Sequence, residues 1–195
     1  MPKVVVTPPQ IDTALFKPGP KYEDLIVSVG RLSPEKNHAP LILAVAELPW
    51  AKLLVIGDGP LRKELTGLVC AVNGSAPMIL LLGTLPNAKV AELLAQATYF
   101  VLPSLYDQAP KALWEAMSAE CACIVSAQVG VVEEGVTGYL CTPDVSGIRA
   151  ALERARTDPK RSRMAQNARR LVHSLFYVAE GPMAPLAPET SDVAL

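Results

Sequence analysis

Five short apolar runs, at 25–30, 52–57, 78–83, 99–104 and 123–127, constrain this chain more than any other feature. They are rich in Val, Ile and Leu and lack the polar alternation of a half-exposed strand, so each reads as a strand buried on both faces. Three of the first four end near a glycine, where a strand can turn towards a helix. Helical patterns fill the intervals, at roughly 37–48, 60–73, 87–97, 110–120 and 146–156. In the 87–97 segment Asn87 reads as the cap, and Val90, Leu93, Leu94 and Ala97 share one face. Strands alternating with helices of this length imply a parallel sheet with right-handed crossovers. The expected fold class is α/β, a doubly wound Rossmann-like domain.

With 195 residues the chain is long enough for one domain with a sizeable core. Proline is enriched, at 18 residues, with clusters at both ends. The expected division is an arm or interdomain linker over 1–24, the domain over 25–175, and a loose tail over 176–195. A net charge of −1 with 19% charged residues gives no pull towards nucleic acid or anionic membranes. No apolar run has the length of a secretory signal or a membrane span, so a cytoplasmic location is expected. Cys70, Cys121, Cys123 and Cys141 lack zinc-ligand spacing and read as buried apolar thiols, so no metal site is expected.

In doubly wound sheets ligands bind beyond the carboxyl ends of the strands, where the strand order reverses. Three loops qualify. The first, Gly30-Arg31-Leu32-Ser33-Pro34-Glu35-Lys36-Asn37, carries two cations just before a helix. Arg31 suits bidentate phosphate contact and Lys36 supplies a point charge. Taken alone, the loop reads equally as a solvated basic segment. The second, Gly57-Asp58-Gly59-Pro60, follows the wrong strand and lacks the spacing of a dinucleotide fingerprint. It reads as a tight structural turn with Pro60 opening the next helix.

The third runs from Asp107 to Met117 across a strand-to-helix junction. Lys111 falls in the first turn of that helix, where positive partial charge disfavours a cation. It also precedes Glu115 in the less favourable order for an i,i+4 pair. A cation beside free backbone N–H groups makes sense if a phosphate binds there. With Leu113 and Met117 on the core face, Glu115 projects away from it beside Lys111. A carboxylate there can accept hydrogen bonds from two ribose hydroxyls, and Asp107 can reach others. The plain alternative for Glu115 is an exposed helix residue. His38 and His173 have no Ser, Cys or second His partner and are not expected to be catalytic.

With these residues assembled, the chain resembles the C-terminal, donor-binding domain of retaining family 4 ("group 1") glycosyltransferases, one half of the two-domain GT-B fold. Pro8-Pro9-Gln10-Ile11-Asp12 is similar to the family's P-N-G-V-D start of this domain, and the likeness runs to about Arg170. Gly30, Arg31 and Lys36 resemble its G-R-x-x-x-x-K element, and Gly57-Asp58-Gly59-Pro60 its G-x-G-P turn. Asp107 and Glu115 resemble its two-carboxylate motif. Glu134-Gly135-Val136-Thr137-Gly138-Tyr139-Leu140 with Pro143-Asp144 resembles a further family stretch.

The resemblance implies that Arg31 and Lys36 neutralise a donor diphosphate, with backbone amides of Gln108, Ala109 and Lys111 completing the cradle. It implies that Glu115 holds the ribose and that Asp107 contacts the transferred sugar. Gly83, Thr84 and Leu85 would border the nucleobase. It further implies no metal or other cofactor, a nucleotide diphosphate sugar as donor of a hexose, and a separate N-terminal acceptor-binding domain as partner.

Three departures stand out. The first acid is Asp107 rather than Glu, one methylene shorter. Glu120-Cys121 replaces the family's Cys-Gly after the helix. Ala127-Gln128-Val129-Gly130 runs straight into Val131-Val132-Glu133, where the family usually has a G-G-x-P-E loop, and this chain is several residues shorter there. A non-catalytic nucleotide-sugar-binding module, a degenerate relative and a nucleotide-sugar epimerase therefore stand as alternatives.

Overall fold

β4 (Ala97–Leu102) is buried along its whole length and runs parallel to its neighbour β1 (Tyr22–Val29). Outward from β1 lie β2 (Lys52–Ile56) and β3 (Met78–Gly83), and outward from β4 lie β5 (Ala122–Ser126) and β6 (Tyr139–Cys141). The computed structural model describes residues 11–73, 78–107 and 110–176. All pairings are parallel and the order is β3-β2-β1-β4-β5-β6, the doubly wound order with its reversal between β1 and β4.

The sheet divides two cores. In β1, Ile26 enters one core while Leu25 and Val27 enter the other; in β4, Tyr99 and Val101 oppose Phe100 and Leu102. This two-sided burial is the reason that the strands read as unbroken apolar runs. Helices α1 (His38–Ala46), α2 (Arg62–Val72) and α5 (Val145–Thr157) cover the first core. Helices α3 (Asn87–Gln96), α4 (Lys111–Ser118) and α6 (Arg161–Phe176) cover the second. β3 is an edge strand, and Met78 and Leu80 remain exposed on it.

The five expected strands and five expected helices all occur, within a few residues of the sequence reading. β6 and α6 come in addition. β6 is only three residues long, too short for a period, and α6 spaces Met164, Ala168 and Val172 four apart among arginines. Two helix starts differ from expectation. Pro86 holds the cap position of α3 and Asn87 is its first helical residue, with no side-chain cap bond. Pro60 lies in the turn before α2, which begins at Arg62.

The described part of the expected arm is docked on the domain. Ile11 and Phe16 are buried, and Ser118 donates its hydroxyl to the Phe16 carbonyl at 2.6 Å. Lys21 Nζ donates to the carbonyls of Leu94 and Ala119, satisfying the ends of α3 and α4. Residues 1–10 and 177–195 lie outside the described residues.

The end of α4 shows what the Glu120 departure costs. Cys121 N–H donates to the Ala116 carbonyl and Glu120 N–H to the Met117 carbonyl, the two bonds of a Schellman termination. That geometry puts Glu120 at φ 56°, in the left-handed region where glycine is usual. Arg169 stands 3.7 Å from its carboxylate, a weak, half-exposed compensation. Glu120→Gly is expected to raise stability by about 1 kcal/mol, read as a higher urea midpoint at unchanged slope. A lower midpoint would show that the Arg169 contact outweighs the backbone strain.

Candidate functional site: a cleft at the β1/β4 switch point

The loops after β1, β2 and β3 are stitched side by side through their backbones. Gly30 N–H donates to the Ile56 carbonyl, Leu32 N–H to that of Asp58, and Gly57 N–H to that of Gly83 at 2.8 Å. Gly57 has φ 137°, and a Cβ there would stand 1.9 Å from the Gly30 carbonyl oxygen. Only glycine allows this approach. A Cβ on Gly59 would likewise meet the Leu32 backbone at 2.5 Å. The second loop thus holds the first loop in place, and Gly57 also borders one of the hollows of the cleft.

Two contiguous hollows open where β1 and β4 diverge, both bordered by Val29 and Gly30. One, of about 170 Å³, is lined by Ile56, Gly57, Thr84, Leu85, Asn87 and Glu115 among others. The other, of about 180 Å³, brings Arg31, Lys36 and Lys111 together with Asp107. Three cations against one carboxylate give the second hollow a positive field, while the first is the more apolar.

Glu115 is not the exposed helix residue of the plain sequence alternative. It is 6% exposed and forms part of the wall of the first hollow, because the cleft side of α4 is sheltered by the loops facing it. Burial pushes its carboxyl up from the ordinary value, while Lys111 opposes that shift. Lys111 Nζ stands 3.4 Å from Glu115, so the pair forms despite its unfavourable order. Lys111 opens α4 as its first residue, with Pro110 at the cap position making no side-chain cap bond.

Asp107 and Lys36 meet at 2.5 Å, with side chains largely shielded from solvent. The sequence assigned them to a sugar and a phosphate; the structure pairs them with each other. The Arg31 side chain makes no hydrogen bond or ion pair with any described residue, and Arg31 lines the second hollow. Thr84 and Leu85 line the first hollow, whereas Gly83 sits behind them at φ 74° with its carbonyl engaged by Gly57. Gln108 and Ala109 lie outside the described residues. Among the described residues no group of three His, Cys, Asp or Glu side chains is placed to hold a metal ion, and no helix is long and apolar enough to cross a membrane.

Two residues escaped the sequence reading. Asn87, taken as a cap, lines the first hollow instead. Asn37 adopts the left-handed conformation at φ 57° and hydrogen-bonds two other loops, which only the fold brings within reach. The remaining family-like stretch is structural. Glu134 accepts from Leu140 N–H and pairs with Arg154, and Asp144 caps α5 through Gly147 N–H at 2.9 Å. That cap, with the Ser146 hydroxyl bond as its largest cause, holds the Asp144 carboxyl down to about 2.

Residues 11–171 match the family model described as "Glycosyl transferases group 1", and the chain belongs to that family. It is 29% identical over 203 residues to the UDP-Gal:alpha-D-GlcNAc-diphosphoundecaprenol alpha-1,3-galactosyltransferase of Escherichia coli, covering 91% of this chain and 51% of that protein. It is 30% identical over 132 residues to a sulfoquinovosyl transferase of Arabidopsis thaliana, covering 64% and 25%. The chain thus spans between a quarter and about half the length of these curated relatives. Among solved structures, sucrose-phosphate synthase from Thermosynechococcus elongatus superposes with TM-score 0.76 at 28% identity, over 86% of this chain and 47% of that one. The C-terminal domain of a group 1 glycosyl transferase from Francisella tularensis has the same fold, with TM-score 0.71 at 20% identity, over 86% of this chain and 98% of that one.

His38 supplies a pH test of the site's floor. It is buried beside Lys36, and burial, aided by the Lys36 charge, lowers its imidazole from 6.5 to about 4. The unfolded chain binds this proton more readily, so stability is complete above pH 6.5 and falls as pH drops towards 4. Between pH 6.5 and 5 the loss is expected to be about 2 kcal/mol, seen as a falling urea midpoint. His38→Leu should flatten that slope; an unchanged slope would contradict the burial of a neutral imidazole.

Proposed function

We propose that this chain is the donor-binding half of a retaining glycosyltransferase, taking a hexose from a nucleotide diphosphate sugar to an acceptor held by a separate N-terminal domain. The observation that carries this reading is the cleft at the switch point, with Arg31, Lys36 and Lys111 facing one hollow and the buried Glu115 walling the next. The cations suit the diphosphate, which gathers negative charge as the bond to the anomeric carbon breaks. Glu115, desolvated and accepting in fixed directions, suits the ribose hydroxyls. Thr84 and Leu85 then border the base.

Once a phosphate draws Lys36 away, the Asp107 carboxylate is released towards the sugar side. There it can accept hydroxyl hydrogen bonds and stabilise positive charge at the anomeric carbon. The glycosidic bond passes from the diphosphate oxygen to the acceptor oxygen, and the acceptor's proton passes to the departing diphosphate; no side chain here is assigned as a covalent nucleophile. Cationic side chains do the charge neutralisation, so no metal is invoked. The name of the Escherichia coli relative specifies UDP-Gal as donor, and HepE of Anabaena, with TM-score 0.75 at 21% identity, was solved with UDP and glucose. Both support a nucleotide sugar here. The Francisella tularensis domain, matched over 98% of its length, supports the division into halves. The free thiols of Cys121, Cys123 and Cys141 fit a reducing, cytoplasmic setting.

A non-catalytic nucleotide-sugar module is the second reading. It is favoured by the short passage from Gly130, at φ 68°, to Val132, which is already back in the core. Sugar transfer by the chain joined to an acceptor domain would exclude it.

Calorimetric titration with UDP-, GDP- and ADP-glucose tests the main reading. One of these should bind, and Lys36→Ala and Glu115→Ala should each weaken it by about 1.5–3 kcal/mol, roughly tenfold or more. No binding by the unaltered chain at millimolar ligand would refute it.

A further inference from the structure

Three consecutive residues before α1 are bonded to the segment that carries Asp107. The Glu35 carbonyl accepts from Leu105 N–H at 2.8 Å, Lys36 pairs with Asp107 at 2.5 Å, and Asn37 Nδ2 donates to the Pro103 carbonyl at 3.1 Å. The same Nδ2 donates to the Pro143 carbonyl, in the loop after β6, at 2.8 Å. An amide nitrogen has two donors, and both are used. Both partners are carbonyl oxygens, so the nitrogen, not the amide oxygen, must face them.

Asn37 is suited to this by two independent properties. It tolerates the left-handed backbone at φ 57°, ψ 43° that ends the preceding turn and starts α1. It also carries a short side chain with two donors. Glycine shares the first property and not the second, and aspartate lacks donors when ionised.

The consequence concerns what happens when Lys36 changes partner. With Lys36 drawn to a phosphate, the ion pair that ties Asp107 to the β1 loop is lost. Asn37, with the Leu105–Glu35 bond and the Ser126 hydroxyl on the Ser104 carbonyl, remains to hold the 103–107 segment. We infer that Asn37 is a positioning residue: its clamp on the Pro103 and Pro143 carbonyls keeps Asp107 aimed at the transferred sugar after Lys36 has left it. This role rests on the donor-binding reading above. It assigns Asn37 to sugar recognition rather than to nucleotide affinity.

Asn37→Gly isolates the clamp, because it keeps the backbone conformation and removes both donors. Hydrogen exchange on the full chain should show the Leu105 amide exchanging about tenfold faster in Asn37→Gly, with amides of β1 unchanged. Equal exchange at Leu105 would overturn the inference by itself.

Binding forms the second arm, using UDP, GDP and ADP and their glucose esters. For the nucleotide that the unaltered chain binds, Asn37→Gly should change nucleotide affinity by less than about threefold while abolishing the extra affinity contributed by the glucose. An equal loss for nucleotide and nucleotide-glucose would mark a general structural role and overturn the proposal. If the unaltered chain binds none of the six, the donor-binding reading falls and the positioning role with it. That outcome is distinct from an altered pattern in a chain that does bind.

Discussion

The approach of Gly57 to the Gly30 carbonyl is the constraint on which the cleft depends. A single methyl group at residue 57 would occupy the space of that oxygen. Because residue 57 carries no Cβ, the loop after β2 lies flat against the loop after β1, and Leu32 is bonded on both sides, to Asp58 and Leu61. The β1 loop is thereby held rigid along one flank. Its other flank meets the 103–107 segment through Glu35, Lys36 and Asn37. Arg31 and Lys36 are thus carried by a loop clamped between two neighbours, on the side of the switch point where a ligand can enter.

The electrostatics of the site follow from what this clamp brings together. Lys36, in the loop after β1, and Lys111, the first residue of α4, are far apart in sequence, yet each already has a carboxylate beside it, Asp107 and Glu115 respectively. Without ligand these pairs satisfy charges that are partly out of water, where an unpaired charge is costly. On the proposed donor-binding reading, an incoming diphosphate would compete for the cations and release carboxylates that can accept hydroxyls. The same reading would couple phosphate binding to the freeing of sugar-directed acceptors.

Much of this was legible in the sequence, for reasons that the fold makes plain. The strands were visible because both faces of the sheet are covered, so Ile26 and Val27, or Tyr99 and Phe100, are apolar side by side. The cations were visible because they stand out against helix starts. β6 was not, since three residues carry no period, and α6 hides its four-residue spacing among arginines. The burial of Glu115 could not be read from α4 alone, because what shelters it lies across the cleft. The Lys36–Asp107 pair and the Asn37 clamp join residues separated by 66 to 106 positions, which only the completed topology brings into contact. Glu120, noticed as a departure, gained its meaning from a backbone angle that no sequence states.

We propose that the two hollows form one nucleoside diphosphate site. A crystal structure of the chain with its best-binding nucleoside diphosphate tests it most directly. Phosphate oxygens are expected within hydrogen-bonding distance of Lys36 and Arg31, ribose hydroxyls on Glu115, and Lys36 separated from Asp107. A nucleotide bound elsewhere on the surface, or a Lys36–Asp107 pair left intact with no phosphate beside it, would contradict the claim.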